Sequence, residues 1–123
     1  MKVKAIDILE KFEALGTLAD KETDLTTAIN IAKNLKELSI SKDVIDKKRN
    51  DIIMKYAVKD SDNKVKQNED GSVGISDIKS FNEDVNGMLN EEIEVELITL
   101  KEDKIKDLKI SAKNILPLLD ILD

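Results

Sequence analysis

The fold is decided by the stretch from Asp24 to Tyr56, which reads DLTTAINIAKNLKELSISKDVIDKKRNDIIMKY. Residues spaced alternately three and four apart form one row of an α-helix. We call this row the a/d seam; it consists of Ala28, Ile31, Leu35, Leu38, Lys42, Ile45, Arg49, Ile52 and Tyr56. Asp24 is a suitable N-cap, because its carboxylate can accept from free N–H groups of the first turn. The pattern predicts one long helix from about Leu25 to Tyr56, with a weak point at Ser39–Ser41.

The residues before this stretch predict two shorter elements. Residues 2–5 alternate weakly in polarity, as in a short edge strand. The spacing then becomes helical, through a row that consists of Ala5, Ile8, Leu9, Phe12, Leu15 and Ala19. The polar residues 20–23 connect this helix to the next one. We therefore expect a shorter N-terminal helix that packs along the long helix.

The residues after the long helix carry turn and cap signals. Asp70-Gly71 is a turn signal, and it predicts a small hairpin with strands near 64–67 and 72–76. The residues Ser80–Glu83 match a capping box, in which a serine and a glutamate satisfy free N–H groups at the start of a helix. We therefore expect a helix over about residues 81–91.

Beyond that helix, apolar and acidic residues alternate as in a half-buried strand. The apolar face would hold Ile93, Val95 and Leu97, and the exposed face Glu92, Glu94 and Glu96. Residues 105–110 suit either a second strand or an irregular run. Ser111 can cap a last helix over residues 112–122, where Pro117 marks a kink or the true first turn.

These elements predict a single domain over residues 1–123 with an α+β fold that is mainly helical. A long central helix packs on a shorter N-terminal helix, and a small antiparallel sheet or hairpin lies in the C-terminal half. Only 2% of the residues are aromatic, so the core must consist of Ile, Leu, Val and Ala.

The composition argues against most catalytic chemistry. The chain has no His and no Cys, which removes the usual base of a catalytic triad, thiolate nucleophiles and the commonest metal ligands. Residues 60–64 begin like a calcium-binding loop, but Val65 stands where that loop requires glycine. We therefore expect a protein that is not an enzyme and that holds neither a metal nor a cofactor.

Six residues are candidates for contact with a partner: Arg49, Tyr56, Glu91, Glu92, Glu94 and Glu96. Arg49 is the only arginine among 20 basic residues, and it lies on the a/d seam. Its side chain could snorkel to solvent, form an ion pair with a glutamate from residues 83–96, or contact a small anion. The glutamates lie in a segment, residues 81–100, that contains six acids and no base. They could form a solvated strand face, a cation site or a surface that binds a basic partner.

Several of these features occur in the same order in an uncharacterised family of small proteins from phages and prophages of Gram-positive bacteria, which the chain resembles. They are the Met-Lys-x-Lys start, the run Ala28–Lys36, Arg49 seven residues before Tyr56, the Asp70-Gly71 loop, Asp77-x-x-x-Phe81-Asn82-Glu83, and Leu89–Val95. The resemblance implies a phage origin and no known activity, and it assigns no functional residue.

We therefore expect a small accessory protein of phage type that binds another protein of the host or the phage, for example as an inhibitor of a host defence protein. A role in virion or tail assembly is one alternative, and binding of a small anion such as a nucleotide is another. The long helix could also form a homodimer. We expect neither nucleic acid nor a membrane as a partner, because no basic excess or long apolar run is present. The expected location is the host cytoplasm, with association with the virion as the alternative.

Overall fold

A computed structural model describes all residues from Met1 to Asp123 and has the predicted architecture, α+β and mainly helical. The elements, in chain order, are β1 (Lys2–Lys4), α1 (Ala5–Ala19), α2 (Leu25–Tyr56), α3 (Ile78–Leu89), β2 (Glu92–Glu94), α4 (Glu102–Ile105), α5 (Ala112–Ile115) and a 3₁₀ helix (Leu116–Ile121). No helix combines the length and the apolar character that crossing a bilayer requires.

Helix α2 begins and ends where the sequence predicts, and it continues without a break through Ser39–Ser41. The Asp24 carboxylate caps it, since it accepts from the backbone N–H of Thr27 at 3.2 Å and from the Thr27 hydroxyl at 2.7 Å. With 32 residues, α2 is about 48 Å long, whereas α1 with 15 residues is about 22 Å long. Helix α1 can therefore cover only part of α2, and α3 also packs on α2.

The buried row of α2 differs from the predicted a/d seam. It consists of Thr27, Ile31, Asn34, Leu38, Ser41 and Ile45. The seam positions Ile31, Leu38 and Ile45 are confirmed as buried, and Leu35 and Ile52 are half-buried against the core. The remaining buried positions are polar residues that lie next to the seam and not on it.

The reason for this difference is an extended segment that follows β2 and contacts α2 on its polar side. The side chain of Asn34, which is fully buried, donates to the Ile98 carbonyl at 2.8 Å and accepts from the Ile98 N–H at 2.7 Å. The Glu37 carboxylate accepts from the Glu96 N–H at 3.4 Å. Side chains of α2 thus take the place of a neighbouring strand.

The sheet has two antiparallel strands, β1 and β2, in the register Lys2↔Glu94, Val3↔Ile93 and Lys4↔Glu92. The predicted edge strand at the N-terminus is confirmed, and its partner is the acidic strand. The strand ends at Glu94 and is therefore shorter than predicted, but the expected alternation of burial continues beyond it. Val95 is buried, and Ile93 and Leu97 are half-buried between exposed glutamates. The sheet therefore joins the N-terminus to the segment that follows α3.

The predicted hairpin between α2 and α3 is present only as isolated bridges. Gln67 pairs with Val73 around a turn in which the Gly71 N–H donates to the Asn68 carbonyl at 3.0 Å. Gly71 has a φ of +83°, which explains why glycine follows the aspartate there. Two further bridges, Lys59↔Val65 and Ala57↔Ile75, tie this segment to the end of α2.

Helix α3 begins three residues earlier than predicted, so the Ser80–Glu83 capping box is wrong. Its N-cap is Asp77, whose carboxylate accepts from the Ser80 N–H at 3.2 Å. Asp77 has a φ of +45°, a conformation that aspartate tolerates better than most residues do.

The C-terminal segment is irregular, as one of the two alternatives for residues 105–110 anticipated. Ser111 caps α5 as predicted, through the Asn114 N–H at 3.3 Å, but the helix changes to a 3₁₀ helix at Leu116 because Pro117 lacks an N–H. The ammonium of Lys11, a buried residue of α1, holds this segment by donating to the Pro117 carbonyl at 2.6 Å and to Asp120 at 2.8 Å.

The core is aliphatic, as the composition predicts. Its fully buried large side chains are Ile8, Leu15, Leu18, Leu38, Ile45, Val95, Leu100 and Leu118. Met88 of α3 is also buried and joins this cluster, while Phe12 packs at its edge. Because α3 places a core residue against α2, it positions the surface described next.

Candidate functional site

The C-terminal half of α2 and helix α3 enclose an open cleft of about 490 Å³. Helix α2 contributes Lys48, Asp51, Ile52 and Lys55. Helix α3 and the turn after it contribute Glu83, Asp84, Gly87, Met88 and Glu91. The residues of α2 are spaced three, one and three apart, which places them on one side of the helix. The cleft exists because α2 extends past α1 and meets α3 there.

The floor of the cleft is apolar. Met88 is buried and Ile52 is half-buried. Gly87 borders open space, since a Cβ placed on it would meet no atom within 4 Å. The cleft can therefore admit a side chain with an aliphatic or planar apolar part.

The rim of the cleft is charged, and only some of its charges are paired. The Lys48 ammonium lies 2.7 Å from the Glu91 carboxylate, and the Lys55 ammonium lies 3.3 Å from Asp84. Asp51 and Glu83 have no cation within 4.0 Å. Two unpaired carboxylates above an apolar floor make the cleft a surface for a cation with an apolar stem.

Tyr56 fixes α3 against the end of α2. Its hydroxyl donates to the Asp84 carboxylate at 2.7 Å, and its ring packs edge-to-face on Phe81 with centroids 6.1 Å apart. The hydrogen bond from Tyr56, followed by the one from Lys55, holds the pKa of Asp84 below its usual value. The same hydrogen bond raises the pKa of Tyr56, because it favours the protonated phenol.

The structure separates the six predicted site residues. Tyr56 and Glu91 lie at the cleft, Tyr56 as a support and Glu91 on the rim. Glu92 and Glu94 lie on β2 directly opposite Lys4 and Lys2. The acidic strand face is therefore interleaved with lysines. No group of three or more acidic residues has the arrangement of a metal site.

Arg49 does not form an ion pair with a glutamate from residues 83–96, which was one of the three alternatives for this residue. It is exposed, and no carboxylate lies within 4.0 Å of its guanidinium. The contact across this region is made by its neighbour Lys48, which reaches Glu91. The side chain of Lys48 points to the cleft, whereas Arg49 lines a separate pocket on the other side of α3.

Sequence reasoning missed the residues that shape the cleft, above all Asp51, Glu83 and Met88. Their spacing within each helix shows that they could share a face with Lys48 and Glu91. What the sequence does not give is the pairing of the two helices, because more than 20 residues separate them. No protein-family model, curated protein or solved structure matches this chain.

Proposed function

We propose that the protein acts by binding another protein, and that the cleft between α2 and α3 receives an arginine or lysine side chain of that partner. The observation that carries the proposal is the pair of unpaired carboxylates, Asp51 and Glu83, above the apolar floor of Ile52 and Met88. A guanidinium is planar and weakly hydrated, so it can lie on the floor while its N–H groups donate to the rim.

The chemistry of the cleft supports binding over catalysis. The hydrogen bond from Tyr56 lowers the pKa of Asp84, which is opposite to the raised pKa that a carboxyl acting as a general acid needs. The acidic rim also disfavours a nucleotide in the cleft, because phosphates would meet carboxylates. A partner protein with a basic anchor residue fits both observations.

The partner class follows from the resemblance stated above and keeps its status as a proposal. In this view the protein is a phage accessory protein that blocks a host protein, for example one of a defence system, with assembly of the virion as the alternative. A homodimer through the a/d seam has less support, since Ile31, Leu38 and Ile45 are already buried within the chain.

The first experiment is affinity capture from a lysate of a Gram-positive host with quantitative mass spectrometry. The bait is compared with two double variants that change the charge equally: Asp51→Lys with Glu83→Lys at the cleft, and Glu10→Lys with Glu13→Lys on exposed positions of α1. We expect a specific protein to be captured by the wild type and the α1 variant, and to be lost by roughly ten-fold or more from the cleft variant. Circular dichroism checks that both variants are folded.

The second experiment uses the captured protein in purified form. Replacing its anchor arginine or lysine with glutamate should abolish binding to the wild type and restore binding to the cleft variant, because the charges are exchanged between the partners. If the cleft variant captures the same protein as the wild type does, or if no exchange of charges restores binding, the assignment of the cleft is wrong.

A further inference from the structure

A second concavity lies on the other side of α3, where α1, α2 and α3 meet. Its volume is about 240 Å³. Its walls are apolar and come from all three helices: Ile6 and Leu9, Ile45, and Val85 with Leu89. Met88 separates this pocket from the cleft, since it lines both. The pocket has room for a ligand below the drug-sized range, because pockets for drug-sized molecules measure roughly 300–1,000 Å³.

The charge of this pocket is opposite to that of the cleft. Arg49 lies among its lining residues, is exposed and has no carboxylate within 4.0 Å. The one acidic lining residue is Asp46, and its carboxylate is paired with the ammonium of Lys42 at 2.8 Å. That lysine also lies 5.8 Å from the ring of Phe12, which keeps it beside α1. The charge that remains available at the pocket is therefore the guanidinium.

An apolar pocket with one guanidinium selects a ligand with two parts. The walls favour an aliphatic chain, because burial of apolar surface stabilises the complex. The guanidinium favours an anionic end, and its planar fork fits a carboxylate through two parallel hydrogen bonds. No aromatic side chain lines the pocket, so nothing there would stack on a nucleobase. We propose that this pocket binds a medium-chain aliphatic carboxylate through its apolar walls and Arg49.

This site is independent of the proposed binding of a protein in the cleft. The two concavities differ in charge, and they share only Met88. The Asp51→Lys, Glu83→Lys variant should therefore still bind the carboxylate, and no more weakly than the wild type does, because the added charges are positive.

The test is a methyl NMR titration of the intact protein with three eight-carbon probes that differ only in the end group: octanoate, octanol and octylammonium. We expect saturable shifts with octanoate at the methyl groups of Ile6, Ile45, Val85 and Leu89. Arg49→Gln should weaken octanoate binding by roughly ten-fold or more, as expected for the loss of a charge-assisted hydrogen bond. Lys47→Gln is the matched control, because it removes an exposed cation of the same helix outside the pocket.

Arg49→Lys separates the effect of the planar guanidinium from the effect of its positive charge. This variant should recover only part of the affinity for octanoate, since an ammonium cannot form two parallel hydrogen bonds. The proposal is overturned if octanoate produces no saturable shift at these methyl groups. It is equally overturned if octanol or octylammonium binds as tightly as octanoate does, or if Arg49→Gln and Lys47→Gln have the same effect.

Discussion

Asn34 offers the sharpest test of how this fold is held together. Its side chain forms two hydrogen bonds with the backbone of Ile98, at 2.8 Å and 2.7 Å, and it is fully buried in α2. Asn34→Leu keeps a similar size and improves the intrinsic helix propensity, but it leaves the N–H and the carbonyl of Ile98 without partners.

The expected loss of stability follows from those two groups. An unsatisfied buried polar group costs about 1–3 kcal/mol, and Ile98 is half-buried, so water can reach part of its backbone. We take about 1.5 kcal/mol for each group, or about 3 kcal/mol for the substitution. For a chain of 123 residues the unfolding entropy is about 0.26 kcal/mol/K, so Tm should fall by about 12 °C.

The assay is urea unfolding followed by circular dichroism, with Asn50→Leu as the matched control. Asn50 lies on the exposed side of the same helix, so the same substitution there should change the free energy of unfolding by less than about 0.5 kcal/mol. A loss below about 1 kcal/mol for Asn34→Leu would refute the view that this side chain replaces a neighbouring strand.

Asn34→Asp tests the donor side of the same contact. The carboxylate can accept from the Ile98 N–H, but it would face the Ile98 carbonyl without a proton between them. Burial and that carbonyl disfavour the anion, so the pKa of the introduced carboxyl should be raised in the folded state. The variant should therefore approach the wild type in acid, where the carboxyl is protonated, and lose stability as the pH rises through the raised pKa.

Two further predictions concern contacts of α3. Tyr56 is the only tyrosine, so a pH titration of phenolate absorbance reports on it alone. Asp84→Asn should lower the Tyr56 pKa toward about 10, whereas the control Asp51→Asn should leave that pKa unchanged. An unchanged Tyr56 pKa in Asp84→Asn would contradict the contact. Because the pKa of Asp84 is lowered on folding, its stabilising effect should be present above about pH 4 and disappear as the pH falls through the lower folded value. Asp77→Ala should cost about 2 kcal/mol in urea unfolding, because it removes the cap and places alanine at a positive φ, and Ser80→Ala should cost less than about 0.5 kcal/mol. The reverse order would restore the Ser80–Glu83 capping box.

The extent of the two longest helices and the position of the acidic strand could be read from local signals. Asp24 and the periodic row behind it fix α2, and the alternation around Val95 fixes the acidic strand, because both depend on residues close in sequence. The contacts that decide packing are not local. The buried charge of Lys11 is satisfied by Pro117 and Asp120, more than 100 residues away, and nothing in the sequence around Lys11 indicates that partner.

The same limit applies to the cap of α3. Both Asp77 and Ser80 are residues that can accept from free N–H groups, and the capping-box pattern favoured Ser80. The chain uses Asp77 because the preceding segment, which is bridged back to the end of α2, turns into the helix there with a positive φ. That geometry depends on the bridge between Ala57 and Ile75, and a sequence pattern of a few neighbouring residues does not indicate such a long-range pairing.

Arg49 shows why a correct period can still assign a wrong partner. A seven-residue repeat drifts by about 20° per heptad on a straight helix with 3.6 residues per turn, so the row from Ala28 to Tyr56 turns by about 80°. One row therefore cannot face one neighbour along its full length. Arg49 points within about 20° of the direction of Leu38, yet it is exposed while Leu38 is fully buried.

The difference between these two seam positions is what lies in front of them. Leu38 lies within the part of α2 that α1 covers, whereas Arg49 lines the gap where α1, α2 and α3 meet. Arg49 borders a pocket because α1 and α3 lie on either side of it while no side chain covers it. The seam position brings Arg49 to the edge of this pocket, and the absence of a carboxylate partner for its guanidinium is the feature that makes the pocket suited to an anion.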